Sequence, residues 1–252
     1  MTHARNTLLV WATCALLSFP ILAGAFTLTP ISQVLAPSGS GASGSYEVVN
    51  SSSEPIAVEF FVAHLLKHPD GSEDLSQRED DAFAVFPPQA VLAPGASRTV
   101  RVRWLGDPEP VRELAFRFMA EQIPVVLHEP EVIDDGKARG GVNIYYRIHG
   151  TLFVRPRGAE PQIDVQEIEL VEGTDGPEIR IRLENTGHMR GWVRQFKLHV
   201  VVGDETYTLT QADVPALENL PVLAGGIREL VAPWPGSVPA HQPSAASLSL
   251  LD

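Results

Sequence analysis

The sequence predicts an all-β protein built from two β-sandwiches. Three observations carry that reading. Strand signals recur roughly every ten to fifteen residues. No stretch beyond the N-terminus holds a helical period. Pro (21) and Gly (20) are plentiful enough to turn the chain between many short strands.

The elements follow in order. Phe26-Thr27-Leu28-Thr29 opens the series, and Ser45-Tyr46-Glu47-Val48-Val49 follows a Gly/Ser turn. Ile56 to Leu65 is rich in β-branched and aromatic residues. Ser97 to Trp104 alternates strictly, with Val100, Val102 and Trp104 on one side and Arg101 and Arg103 on the other. Leu114 to Phe118 alternates as well. Val142 to Ile148 does the same, and Leu152-Phe153-Val154 continues its line. Seven short strands separated by turn signals predict one sandwich. Arg155-Pro156-Arg157-Gly158 then reads as a hinge, because Pro156 breaks a strand ladder and Gly158 loosens the chain. A second set follows: Ile163 to Leu170, Glu178 to Leu183, Trp192 to Val202, and Glu205 to Thr210 paired back across Gly203-Asp204. From Pro239 the chain is rich in Pro, Ser and Ala and reads as a loose tail. The expected organisation is a signal peptide over 1–25, a first domain over 26–154, a hinge over 155–158, a second domain over 159–238 and a tail over 239–252.

The N-terminus reads as an export signal. Arg5 is a weak positive region, Leu8 to Leu22 is an apolar run, and Ala23-Gly24-Ala25 fits a small-x-small cleavage site. The mature chain is expected to begin at Phe26. Cys14 lies inside that signal, so the mature chain holds no cysteine for a disulfide, a thiolate metal site or a nucleophile.

With 252 residues and 44% apolar content the chain can bury two cores. A net charge of -12 argues against nucleic-acid binding, because nothing neutralises phosphates in bulk. No nucleophile elbow, phosphate-binding loop or His-Glu-x-x-His motif appears, so no enzyme, no cofactor and no small-molecule substrate is expected. His64 and His68 lie on a strand end and a loop, which does not make a metal site. Glu73, Asp74, Glu79, Asp80 and Asp81 lack the spacing of a calcium loop and read as a solvated acidic loop.

Four blocks carry a resemblance to the periplasmic chaperones of chaperone–usher pilus assembly. They are Phe26-Thr27-Leu28-Thr29-Pro30; Pro87-Pro88 through Leu92-Ala93-Pro94-Gly95 with the Val100-Arg101-Val102 strand; Arg112-Glu113-Leu114 through Glu121-Gln122-Ile123-Pro124; and Leu152-Phe153-Val154-Arg155-Pro156. Glu184-Asn185-Thr186-Gly187-His188 resembles the second-domain turn of that family. The style is nearest the archaic, spore-coat-U-like branch. The resemblance implies two immunoglobulin-like sandwiches in an L or boomerang arrangement. It implies a place in the periplasm and donation of the seventh strand to a pilus subunit that lacks its own last strand, with an outer-membrane usher as second partner. The donor face would be Val142, Ile144, Tyr146 and Ile148, all of one parity. Family members also hold the subunit's terminal carboxylate with two basic residues, at positions that align with Ser32 and Thr151 here. Neither is charged. Arg117 is the replacement candidate, with Arg147 and Arg155 as second choices, each outward-facing. The competing reading is a cell-surface structural or adhesive protein of tandem sandwiches, which would offer no free donor edge.

Overall fold

The structure is a computed structural model that describes residues 26–124 and 144–251. The export signal, Cys14, Val142 and the Glu129–Gly141 loop lie outside the described residues. The rest is all-β, as expected, with two short 3-10 turns and no α-helix among the described residues.

Eleven strands precede the predicted hinge: β1 (Phe26–Thr29), β2 (Ser32–Leu35), β3 (Ser43–Asn50), β4 (Ile56–His64), β5 (Leu66–Lys67), β6 (Glu73–Asp74), β7 (Phe83–Phe86), β8 (Gln89–Leu92), β9 (Ser97–Trp104), β10 (Leu114–Ile123) and β11 (Arg147–Val154). They form a four-stranded sheet in the order β1-β3-β9-β7, a five-stranded sheet in the order β2-β11-β10-β4-β8, and the separate hairpin β5-β6. The first predicted strand region thus splits. β1 pairs antiparallel with β3, then the chain crosses at Pro30-Ile31 so that β2 lies parallel to β11 in the other sheet. The alternation read in β9 holds: Val100, Val102 and Trp104 are buried and Arg101 and Arg103 exposed. In β10, Phe116, Phe118 and Ala120 enter the same core, where Phe118 stacks on Tyr46 at 4.0 Å between ring centroids.

Eight strands follow: β12 (Ile163–Gly173), β13 (Gly176–Asn185), β14 (Gly191–Val193), β15 (Phe196–Val202), β16 (Glu205–Leu209), β17 (Leu220–Val222), β18 (Ile227–Pro233) and β19 (Ala245–Leu250). Their sheets run β12-β13-β18, β16-β15-β19 and β14-β17. The expected β15–β16 hairpin is present, with Val202 opposite Glu205 and Gly203 at φ 62°, a left-handed turn conformation suited to glycine. Each half has its own core: Phe26 to Val154 supply one buried cluster and Ile163 to Val238 the other.

Two expectations are corrected. The stretch after Pro239 is not loose: β19 pairs antiparallel with β15 from Phe196↔Leu250 to Val201↔Ala245, and Ala246 and Leu248 pack on the second core. Its Pro/Ser/Ala composition hid the alternation, because small side chains suffice where an edge strand covers an existing sheet. The strand expected over Val142–Ile148 begins at Arg147; Ile144, Tyr145 and Tyr146 are described but form no strand.

Candidate functional site

The site lies on the outward face of the five-stranded sheet, at β11. Because side chains alternate along a strand, Ile148, Gly150, Leu152 and Val154 turn inward, and Arg147, His149, Thr151 and Phe153 turn outward. On one side β11 is fully paired with β10, from Leu114↔Val154 to Glu121↔Arg147. On the other side β2 pairs only from Thr151 to Val154. Among the described residues, the β11 edge ahead of Thr151 has no strand partner on that side.

The expected donor residues divide. Ile144 is 65% exposed and Tyr146 36% exposed, while Ile148 is partly buried and packs against the first core. Val142 lies outside the described residues. Ile148 stands opposite Ala120 on β10, whereas Ile144 and Tyr146 lie ahead of the strand and are exposed.

The three candidate anchors are separated by the structure. Register aligns Ser32 on β2 with Thr151 on β11, and Thr151 with Arg117 on β10. The two uncharged positions and the proposed substitute therefore form one cross-strand row, which single-sequence reading could not show. Arg117 donates from Nη1 to Thr151 Oγ1. It is not a free surface arginine, because its side chain is 16% exposed and it grips Glu73 from both ends of its fork. Arg117 Nη2 lies 2.6 Å from Glu73 Oε1 and 2.8 Å from Oε2, and Nε lies 3.2 Å from Oε2. Lys67 Nζ stands 3.4 Å from the same carboxylate. Partial burial pushes the Glu73 carboxyl up, but hydrogen bonding and charge from Arg117, helped by Lys67, hold it below the usual carboxylate range. The reading of Glu73 as part of a solvated loop is thus corrected.

Arg147 is exposed and pairs with Glu121 at 2.7 Å. Arg155 donates from Nε to Glu113 at 2.5 Å. Glu113 is nearly inaccessible and also accepts from Arg190 Nη1, at 3.1 and 3.2 Å, and from the Arg190 backbone N–H. The Arg190 guanidinium lies 3.5 Å from the Phe153 ring centroid. Arg155 therefore belongs to a knot that ties the first core's sheet to the second set of strands. The roles of Glu73, Glu113 and Arg190 were not legible in the sequence because their partners lie far along the chain, Glu73 and Arg117 44 positions apart and Glu113 and Arg190 77; Lys67 pairs with Glu73 only six positions away, but nothing in the sequence marked that pair as part of a site.

Residues 31–160 match the family described as pili and flagellar-assembly chaperones, PapD N-terminal domain. The chain belongs to that family, and its role is that of a chaperone. No curated protein sequence matches it. Among solved structures, it is similar to the class 5 fimbriae chaperone CfaA, at 16% identity and TM-score 0.53, over 90% of this chain and 92% of that one. It is similar to the E. coli chaperone DraB, at 18% identity and TM-score 0.51, over 90% and 96%. A chain of a chaperone–tip adhesin complex of CFA/I fimbriae matches at 16% identity and TM-score 0.52, over 82% and 88%. These likenesses establish the two-domain chaperone fold.

Proposed function

We propose that this chaperone acts in the periplasm, after removal of residues 1–25, and caps pilus subunits by lending them the strand that leads into β11. An outer-membrane usher would receive the loaded complex. The observation that carries the reading is the edge of β11 ahead of Thr151, which has no strand partner among the described residues and is preceded by exposed Ile144 and Tyr146. An incomplete sandwich can pair its backbone with that edge and seat alternate apolar side chains in its own open core. Burying Ile144 supplies about 1.5–3 kcal/mol before ordering costs. Arg117, in the row of Ser32 and Thr151, is the cation for the subunit's terminal carboxylate. The cell-surface adhesive reading loses support from the same edge.

The test is co-purification of a co-expressed pilus subunit from a periplasmic extract, with the mass of the chaperone read in the same preparation. The mass should begin at Phe26. Ile144→Asp should leave a folded chaperone that no longer protects the subunit from protease, because an ionised carboxylate in an apolar groove costs on the order of several kcal/mol. Full protection by the folded variant would rule out Ile144 as a donor residue.

A further inference from the structure

We propose that Arg117 and Lys67 form one carboxylate-binding site, that Glu73 is its resident occupant in the free protein, and that a partner's terminal carboxylate displaces it. The proposal rests on the strand-donation reading above and adds a second cation and a competitor to it.

The location follows from the sheet. A strand added to the open β11 edge can extend only to Thr151, where β2 takes over the pairing. If it runs parallel to β11, as β2 does, its C-terminal end stops at the Ser32–Thr151–Arg117 row. The carboxylate at that chain end meets the guanidinium already bonded to Thr151. Lys67 reaches the same point from the β5-β6 hairpin, with its Nζ 3.4 Å from the carboxylate that Arg117 holds.

The present occupant has the chemistry of the expected ligand. Glu73 presents both carboxylate oxygens to the Arg117 fork and one to Lys67. Two cations against one carboxylate leave an excess positive charge that favours an incoming anion. Glu73 and Lys67 face each other on one short hairpin, so Glu73 leaves Arg117 by rotating its own side chain while the hairpin and Lys67 stay in place. The β5-β6 hairpin has only two residue pairs, Leu66↔Asp74 and Lys67↔Glu73, and belongs to neither large sheet. Its turn is held to β18 through the Glu229 N–H donating to Pro69 O at 2.7 Å, with Arg228 packed against Gly71. The tethered hairpin therefore keeps Lys67 at the site when Glu73 swings away from Arg117, and the latch can close again when the partner leaves.

The test uses a fluorescein-labelled, soluble peptide of alternating Val and Thr with a free C-terminal carboxylate, and the same peptide amidated, with binding read by anisotropy. Glu73→Gln should bind the acid peptide about tenfold more tightly than the parent, with no change for the amide, because a competing charge-assisted contact is gone. Lys67→Gln in that background should weaken the acid peptide roughly three- to tenfold, and Arg117→Ala should abolish the acid preference. Glu73→Asp, which is too short to span the gap, should behave like Glu73→Gln and serves if the amide variant folds poorly. Equal or weaker binding of the acid peptide by Glu73→Gln overturns the proposal and makes Glu73 a holder of Arg117. No acid preference in any variant overturns the site itself. Loss of subunit capture on Ile144→Asp alongside either negative result leaves strand donation standing without the latch.

Discussion

His149 shows how a single residue reports on the charged row beside it. Its side chain turns outward from β11, next to the Arg117 row, and its Nδ1 is buried with no hydrogen-bond partner among the described residues. Burial first, and then the positive charge of Arg117, hold its pKa below the ordinary imidazole value; Arg147 adds to this and Glu73 opposes it. The folded protein thus keeps His149 neutral at pH values where the unfolded chain already binds a proton. Stability associated with this group is present above the ordinary histidine pKa, about 6.5, and is lost as pH falls through that value toward the folded one. Urea midpoints measured between about pH 7.5 and 5.5 should therefore fall less steeply for His149→Gln than for the parent. Identical slopes would remove His149 from the acid sensitivity. Arg117 itself is no silent surface residue. Its removal strands the Glu73 carboxylate beside Lys67 alone, so a loss of binding by Arg117→Ala must be read against its melting behaviour.

At the scale of elements, edges decide behaviour. Among the described residues β11 ahead of Thr151 is an edge left open, while the β15 edge opposite β16 is covered by β19. An uncovered strand presents unpaired N–H and C=O groups to any passing chain, so proteins that do not use an edge tend to cover it. Deleting residues 245–252 should destabilise the second set of strands by about 2–4 kcal/mol, from lost burial of Ala246 and Leu248 and lost ladder bonds. It should also promote self-association. Urea unfolding with sedimentation velocity measures both. An unchanged midpoint would mean that β19 contributes no stability. Gly150 marks the opposite need. A Cβ there would meet Ile31 O and Tyr46 Cε1 at 3.2 Å, so the open strand passes close over a filled core.

Across the whole molecule, the two halves repeat one device and are joined by another. Asn50 ends β3, and its Nδ2 donates to Glu54 O and Leu92 O while its Oδ1 accepts from the Ser52 N–H. Asn185 ends β13, and its Nδ2 donates to Met189 O and Val222 O while its Oδ1 accepts from the Gly187 N–H. The backbone carbonyls of these asparagines accept from Gly95 and Gly225, which have φ 72° and 66°. The same corner is thus built twice, and each buried amide is fully satisfied. The junction is the knot of Glu113 with Arg155 and Arg190. Glu113→Ala leaves two guanidinium groups facing each other without their carboxylate, and should cost about 2–4 kcal/mol in urea unfolding. It should also broaden the distribution of domain orientations seen by small-angle scattering. A variant that scatters and unfolds like the parent would show that the knot does not set the junction.

Alternation in β9 and β10 and the Gly203-Asp204 turn were legible in the sequence, while the Pro94-Gly95 turn and the Asn185 corner were read through the family resemblance. The first two are local consequences of backbone geometry: two-residue periodicity and a positive φ. These determined the all-β class and the outward placement of Arg117. Local signals weaken where small residues suffice, and so β19 escaped notice. What only the tertiary structure decided is which outward residues meet. Ser32, Thr151 and Arg117 become neighbours through a parallel pairing and an antiparallel one, and Glu73 reaches Arg117 from a hairpin 44 positions away. Register and loop path are set by the packing of two cores, and no periodicity along the chain encodes which side chains that packing brings within hydrogen-bond distance.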